Sequence, residues 1–322
     1  MRRSRTLVLG AAVFATVMVA VACSSGGDDT SGTPSGSAGG GTIASQLTLG
    51  GPPECPDRPF CIPGLKDTYG IEFADFKPLD TGGPQTVAAL QSGQIDVGLL
   101  FSTSSVIAEN SWVVLEDDKH LQSAENIAPV VRTAVLNDEI TQILNSISAA
   151  VDSPTITGLN KLVEIDKEDP DTVAGDFLKA QDLLPNGGGG DGIDLTVGVS
   201  GAFAENQIMA EMYAQALEAA GYTVNRELDL ASREVSDKAL QSGKIDIKPE
   251  YLSSELLFLD PTATASGDPA QVVAALTPLL EKNGVTLLDY AAANDQNSFV
   301  VTGETADKYG LAKMSDLAKP AP

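Results

Sequence analysis

The feature that most constrains this chain is an internal repeat. Ala89-Leu90-Gln91-Ser92-Gly93-Gln94-Ile95-Asp96-Val97 recurs 150 residues later as Ala239-Leu240-Gln241-Ser242-Gly243-Lys244-Ile245-Asp246-Ile247. In each copy a helical stretch runs into a glycine suited to the position just past a helix end. An Ile-Asp-apolar strand begins at once, which is the punctuation of a helix-to-strand connection. Around the second copy the pattern predicts strand 195–199, helix 205–220 closed by Gly221, strand 223–230, helix 233–242 and strand 245–251. The first of these helices gathers Ile208, Met209, Met212, Tyr213 and Leu217 on one broad face. Around the first copy the order is the same but shorter: strand 46–50, helix 64–69, strand 73–79, helix 84–92 and strand 95–101. Each unit reads as an open α/β lobe, and two such lobes facing each other form a cleft at the carboxyl ends of their strands, where ligands bind. Between them lie helical segments at 138–151, 155–163 and 171–184, then Pro185-Asn186-Gly187-Gly188-Gly189-Gly190-Asp191-Gly192. No Gly-Lys-Ser/Thr follows this glycine run, so it reads as a flexible joint and not as a phosphate loop.

Charge and residue counts narrow the chemistry. With 44 acidic and 20 basic side chains the formal net charge is -24, a field that repels phosphate backbones and anionic lipid. A nucleic-acid partner is therefore disfavoured and a cationic or zwitterionic one favoured. One histidine, His120, and three cysteines, at 23, 55 and 61, cannot build a His cluster or a four-thiolate zinc site, and no metal or cofactor is expected. Gly198-Val199-Ser200-Gly201-Ala202 lacks the final glycine of a nucleophile elbow. Its sole available base is His120, in the polar turn Asp117-Asp118-Lys119-His120, so a lipid-anchored hydrolase using Ser200 and His120 is the minor alternative. The acids Glu116, Asp117 and Asp118 lack a calcium-loop pattern around them and read as a solvated turn.

The N-terminus carries an address. Arg2, Arg3 and Arg5 precede an apolar run that ends in Ala20-Val21-Ala22-Cys23 and gives way to Ser, Gly and Asp. This is a secretory signal; the run falls short of the roughly 20 apolar residues a membrane span needs. Small residues before a cysteine resemble a bacterial lipobox, which implies residues 1–22 as a lipoprotein signal peptide and Cys23 as the acylated new N-terminus. The mature protein is then exported and lipid-anchored on the outer face of the cytoplasmic membrane. Cleavage removes three arginines and no acid, leaving a net charge of -27. Residues 23–45 form a Gly, Ser, Thr and Asp-rich flexible tether. Cys55 and Cys61 flank a Pro-rich loop in an exported chain, where a disulfide is the expected pairing.

Several stretches carry a resemblance: Gly51-Pro52-Pro53-Glu54 with Pro63-Gly64-Leu65 and Tyr69-Gly70; 91–101 followed by Ser102-Thr103; Val113-Val114-Leu115-Glu116-Asp117-Asp118-Lys119; Pro129-Val130-Val131-Arg132; and Pro249-Glu250-Tyr251. Together they resemble the glycine betaine, choline and carnitine substrate-binding lipoproteins of osmoprotectant ABC transporters, over nearly all of 46–322. The resemblance implies a two-lobed type II periplasmic-binding-protein fold with a hinge between the lobes, no catalytic activity, a quaternary ammonium solute as ligand and an ABC permease as partner. One feature departs. The family begins with the stretch that here starts at Leu195 and runs through Ser315-Asp316-Leu317 into the stretch that here starts at Gln46. The two halves therefore resemble those of a circular permutant, whose usual ends are joined through the glycine run. One lobe is then expected to comprise 46–104 and 302–322, and the other 105–301 with the joint at 186–192, the crossing strands lying near 102–110 and 297–302.

A quaternary ammonium has no N–H to donate, so ring faces hold it by cation–π attraction. The resemblance places cage walls at Tyr251 of Pro249-Glu250-Tyr251, at Phe299 of Asn297-Ser298-Phe299, and at Phe101 before Ser102-Thr103. Val87 stands where the family commonly has a further tyrosine, and Ser200-Gly201-Ala202-Phe203 replaces the family's Ser-Lys-x-Phe, removing a lysine that helps hold a ligand carboxylate. Arg58 is the candidate replacement, with Gln207, Ser253 and Asn297 as polar contributors. The thinner cage also admits a different small cation or an amino acid.

Overall fold

In the computed structural model, which describes residues 41–322 apart from Thr81, Asp191 and Ala202, the two copies of the repeat occupy equivalent places in two five-stranded sheets. The signal segment, Cys23 and the tether to residue 40 lie outside the described residues.

The first sheet is built from β1 (Thr48–Gly51), β2 (Asp75–Pro78), β3 (Val97–Phe101), β4 (Val113–Val114) and β10 (Asn297–Val301), in the order β2-β1-β3-β10-β4. The second is built from β5 (Ile127–Arg132), β6 (Asp194–Ser200), β7 (Thr223–Leu230), β8 (Ile247–Tyr251) and β9 (Val285–Leu287), in the order β7-β6-β8-β5-β9. In each sheet three parallel strands are followed by one that arrives from the other lobe and runs antiparallel to both neighbours, β10 in the first and β5 in the second. The repeat foreshadows the two lobes, and their strand order is the type II arrangement that the resemblance implies.

Helices cover both lobes. Around the first sheet lie α1 (Ile62–Gly64), which continues into a π turn at Leu65–Tyr69, α2 (Pro84–Gln91), α3 (Ser105–Asn110) and α11 (Gly303–Tyr309). Around the second lie α4 (Asp138–Ala150), α5 (Ser153–Glu164), α6 (Pro170–Ala180), α7 (Ala204–Ala219), α8 (Arg233–Ser242), α9 (Leu252–Leu259) and α10 (Pro269–Lys282). Apolar clusters fill both sides of the second sheet: α4 to α7 pack on one side through residues such as Leu144, Val173, Met212 and Leu217, and α8 to α10 on the other through Leu240, Leu256 and Leu276. Among the described residues no helix is long and apolar enough to cross a membrane.

The repeat owes its sequence to one local device used twice. Gly93 and Gly243 end α2 and α8 at φ of 67° and 76°, the left-handed region where glycine carries no side-chain penalty. The aspartate three residues on then binds the neighbouring strand of the sheet, β1 or β6: Asp96 accepts from the Thr48 amide at 2.8 Å, and Asp246 from the Thr196 amide at 2.9 Å. Asp246 adds an ion pair with Arg132 at 2.6 Å, tying β5 into the same corner.

Three expectations are corrected. First, β10 and β4 pair in the first sheet, so the lobe boundaries fall later than 104/105 and earlier than 301/302. The chain crosses between β4 and β5 and again between β9 and β10; the two crossing segments touch through a bridge between Asn126 and Asn294. Second, the glycine run is a tied turn. Gly187 and Gly190 donate to the carbonyls of Ala219 and Ala220 at 3.2 Å, and the Gly189 amide donates to the Glu139 carboxylate at 3.0 Å. Third, the acidic turn is organised by Asp117, which accepts from the Tyr69 hydroxyl at 2.5 Å and from the amides of Leu121 and Gln122 at 2.9 and 2.6 Å. Cys55 and Cys61 form the expected disulfide.

Candidate ligand-binding cleft

The repeat carries its symmetry into the cleft. Phe101 and Tyr251 close β3 and β8, the equivalent strands that follow the two repeat copies, and lie 150 residues apart like the copies themselves. Between them stands Phe203 at the start of α7, 43% exposed. Its ring lies 6.3 Å from that of Phe101 at 62° and 6.5 Å from that of Tyr251 at 87°, both edge-to-face geometries. The three rings line a cavity of about 250 Å³ together with Gln122, Glu125, Arg233, Ser254, Asp295 and Asn297. A second space of about 300 Å³ adjoins it along the second lobe and shares Phe203, Arg233 and Tyr251.

The polar part of the wall holds two carboxyls, Glu125 and Asp295, one guanidinium, Arg233, and neutral amide and hydroxyl side chains. The Tyr251 hydroxyl donates to Glu205, a fully buried acid that also accepts from Asn160 at 2.8 Å, and lies 3.0 Å from Asn206 Oδ1. Burial pushes the Tyr251 hydroxyl well above its ordinary value, and the negative charge of Glu205 adds to the effect. Glu125 accepts from the amide and the hydroxyl of Ser254, both at 3.0 Å. Burial nonetheless pushes Glu125 up to about 7. Asp295 accepts from the Thr103 hydroxyl at 2.7 Å, and burial followed by the Glu205 charge pushes it up to about 7 as well. Arg233 is the basic side chain among the described lining residues, and it is already engaged, with Glu250 at 2.8 Å and Glu255 at 3.5 Å.

Beneath Tyr251 lies a buried ion network. Lys248, 1% exposed, contacts Asp237, Glu250 at 2.8 Å and Glu255 at 3.8 Å. Glu250 in turn accepts from the Tyr251 amide at 2.8 Å. Burial raises Asp237 and Glu255, whereas at Glu250 the charges of Lys248 and Arg233 outweigh burial and hold the carboxyl down. Two cations thus face three acids, and the network sets the end of β8 and the ring that projects from it.

The family model for the substrate-binding domain of ABC-type glycine betaine transport systems matches residues 38–180 and 193–322. The chain belongs to that family. A glycine-betaine-binding protein of Pseudomonas aeruginosa is 33% identical over 144 residues, 44% of this chain and 46% of the relative. The glycine betaine-binding protein YehZ of Escherichia coli is 27% identical over 130 residues, 38% and 43% of the two chains. The matches therefore span a little under half the length of these curated relatives. An ergothioneine transport permease/ergothioneine binding protein of Helicobacter pylori is 27% identical over 125 residues, 38% of this chain and 22% of the relative. Among solved structures, the probable amino-acid ABC transporter extracellular-binding protein ytmK from Bacillus subtilis is similar at a TM-score of 0.40 and 11% identity, covering 85% of this chain and 89% of that one. The family is one of binding domains and not of enzymes. Ser200 Oγ meets Asn206 Nδ2 at 3.5 Å, and His120 sits exposed at φ 55° in the acidic turn.

Within this binding domain the cleft brings together three of the residues singled out in the sequence, Tyr251, Phe101 and Asn297. The others lie elsewhere. Phe299 is wholly buried in the core of the first lobe. The register explains why: Asn297 pairs with Phe101 at the open end of the sheet, and Phe299 pairs with Leu99 one pleat further in. Arg58 is exposed on the disulfide loop and forms a local ion pair with Glu54 at 2.8 Å. Gln207 donates to Asp229 at 3.1 Å and does not line the cavity. Ser253 is fully buried and donates to the Ala124 carbonyl at 2.7 Å; its neighbour Ser254 is the one that faces the cleft. Sequence reasoning missed Phe203, Glu125, Asp295, Glu205 and Arg233. One signal was available, a large apolar residue at the mouth of α7; the acids carried none, because the sequence placed the crossing strands near 102–110 and 297–302 and the structure brings the two crossing segments together at Asn126 and Asn294.

Proposed function

We propose that this protein is the extracytoplasmic solute receptor of an ABC importer, capturing a quaternary ammonium compatible solute of the glycine betaine, choline or carnitine type between its lobes and delivering it to a membrane permease. The observation that carries the reading is the cluster of Phe101, Phe203 and Tyr251, contributed by both lobes at the cleft. Ring faces are the chemistry a permanent cation without N–H donors requires, each desolvated face contributing roughly 2 kcal/mol. Tyr251, Phe203 and Phe101 are the proposed walls, with Asn297 as a polar contact. Export and acylation at Cys23 extend this reading from the signal sequence. The test is thermal unfolding against choline, glycine betaine and carnitine. Ligand at 100 times its Kd should add about 2.7 kcal/mol of stability and raise Tm; no rise with any of the three at millimolar concentration contradicts the proposal.

The exchanged order of the halves is proposed as a circular permutation. Two observations support it. The family match is interrupted at 181–192, across the glycine run. The ends of the folded part are hydrogen-bonded to each other, Ile43 to Lys319 at 2.8 Å and Ala321 to Gly41 at 2.9 Å, as adjacent segments of a continuous chain would be. A variant opened at the glycine run and closed from residue 322 to residue 41 by a short linker should fold cooperatively and keep its ligand; an unfolded product counts against the permutation.

A further inference from the structure

We propose that Arg233 is the carboxylate anchor of this cleft, which makes the ligand a zwitterion with its cationic head among the three rings and its carboxylate on the guanidinium. The inference rests on the receptor reading above and names the residue that sets its ligand class. Position comes first. The two adjoining spaces of about 250 and 300 Å³ share Phe203, Tyr251 and Arg233 as walls. Two of these are rings, and the third is the one cation among the described lining residues of either space. A small molecule held by the rings therefore lies beside the guanidinium. Arg233 is also the first residue of α8, whose N-terminal end has no side-chain cap and carries the positive pole of the helix.

The contacts of Arg233 with Glu250 and Glu255 leave donors over. Its side chain is 29% exposed. Nη2 donates to Glu250 at 2.8 Å, and Nε, 3.5 Å from Glu255, is buried without a hydrogen-bond partner. Nη1 has no hydrogen-bond partner among the described residues either. A guanidinium presents five N–H donors in a rigid fork that matches a carboxylate, and here one of its three nitrogens is satisfied. Glu250 is fully occupied: one oxygen accepts from Arg233 and the Tyr251 amide, the other from Lys248. Glu255 is a weak counter-charge, because burial raises its carboxyl to about 8.

The other charges set the direction of the ligand. Glu125 and Asp295 line the first space and not the second. The second is lined by one acid among the described residues, Glu250, whose charge Lys248 and Arg233 already offset. A zwitterion fits with its ammonium toward the rings and the two acids of the first space, and its carboxylate toward Arg233. The reverse orientation sets carboxylate against carboxyl.

Glycine betaine, its amide and choline share the trimethylammonium head and end in a carboxylate, an amide and a hydroxyl, so together they isolate the anion. Titration calorimetry of the full chain at pH 7 should show glycine betaine binding at least about tenfold tighter than either neutral-ended probe, the worth of a charge-assisted hydrogen bond. Arg233→Gln should bring both ratios below about threefold while choline affinity moves by less than about threefold. Arg233→Lys keeps a cation beside Glu250 without the fork, and should lose at least about threefold of the same ratios. An arginine with a structural role alone would weaken all three probes together and leave the ratios intact. Ratios unchanged in either variant, when it melts cooperatively, overturn the inference. So does wild-type protein that binds the amide or choline as tightly as glycine betaine, a measurement that needs no variant to fold and leaves the receptor reading standing. Binding of none of the three to cooperatively melting wild-type protein overturns the receptor reading and this inference together.

Discussion

Replacing Lys248 with methionine should destabilise the protein by about 3–5 kcal/mol at pH 8, the typical cost of leaving a buried charge partner uncompensated. Lys248 is 1% exposed and contacts Asp237, Glu250 and Glu255, so the variant leaves three buried carboxyls facing Arg233 alone. The pH dependence separates this from a packing defect. A carboxyl whose folded value is raised binds its proton more tightly in the folded state, so the stability it favours is present at low pH and is lost as pH climbs from the ordinary carboxylate range through the raised one. Asp237 and Glu255 are already raised by burial with Lys248 in place, and removing the lysine raises them further and releases Glu250 upward. The loss should therefore shrink toward pH 5, as measured by urea unfolding. A deficit below about 1 kcal/mol at both pH values would show that the network contributes little to stability.

The lobes were legible in the sequence because their cause is local. A helix that ends on glycine and hands over to an Ile-Asp strand needs no distant partner, and both copies announce it; Asp96 and Asp246 then make the same bond to Thr48 and Thr196. Tyr251 and Phe101 were legible through the family resemblance, from Pro249-Glu250-Tyr251 and from the aromatic residue before Ser102-Thr103, and the structure shows that they also share one offset after the two repeat copies. What could not be read was the outcome of register and long-range pairing. Phe299 and Asn297 share one strand and one short motif, yet a single pleat separates a core residue from a cleft residue, and only the pairing of β10 with β3 decides which is which. Arg58 illustrates the converse: a cation expected to meet a ligand is taken by Glu54 four residues away. The cleft acids come from crossing segments far apart in the chain, so Glu125 and Asp295 could be seen as a pair only after the sheets were placed.

Phe203 offers the most direct access to the central claim, that ring faces in this cleft hold an organic cation. Its side chain is 43% exposed, its neighbours are the other two rings, and its removal opens no core cavity. Tyr251 is held more firmly, through its hydroxyl to Glu205 and its amide to Glu250, so its loss disturbs more than one contact. Losing one desolvated ring face costs roughly 2 kcal/mol, equivalent to about 30-fold in affinity. Tyr251→Phe, which keeps the face and drops the hydroxyl, should retain most of the affinity, whereas Tyr251→Ala should lose at least as much as Phe203→Ala. The deciding measurement is the Kd of choline for wild-type protein and for Phe203→Ala, by calorimetry at pH 8, alongside Tm without ligand. The account predicts a Kd about 30-fold weaker at an unchanged Tm; an unchanged Kd in a folded Phe203→Ala protein would contradict it.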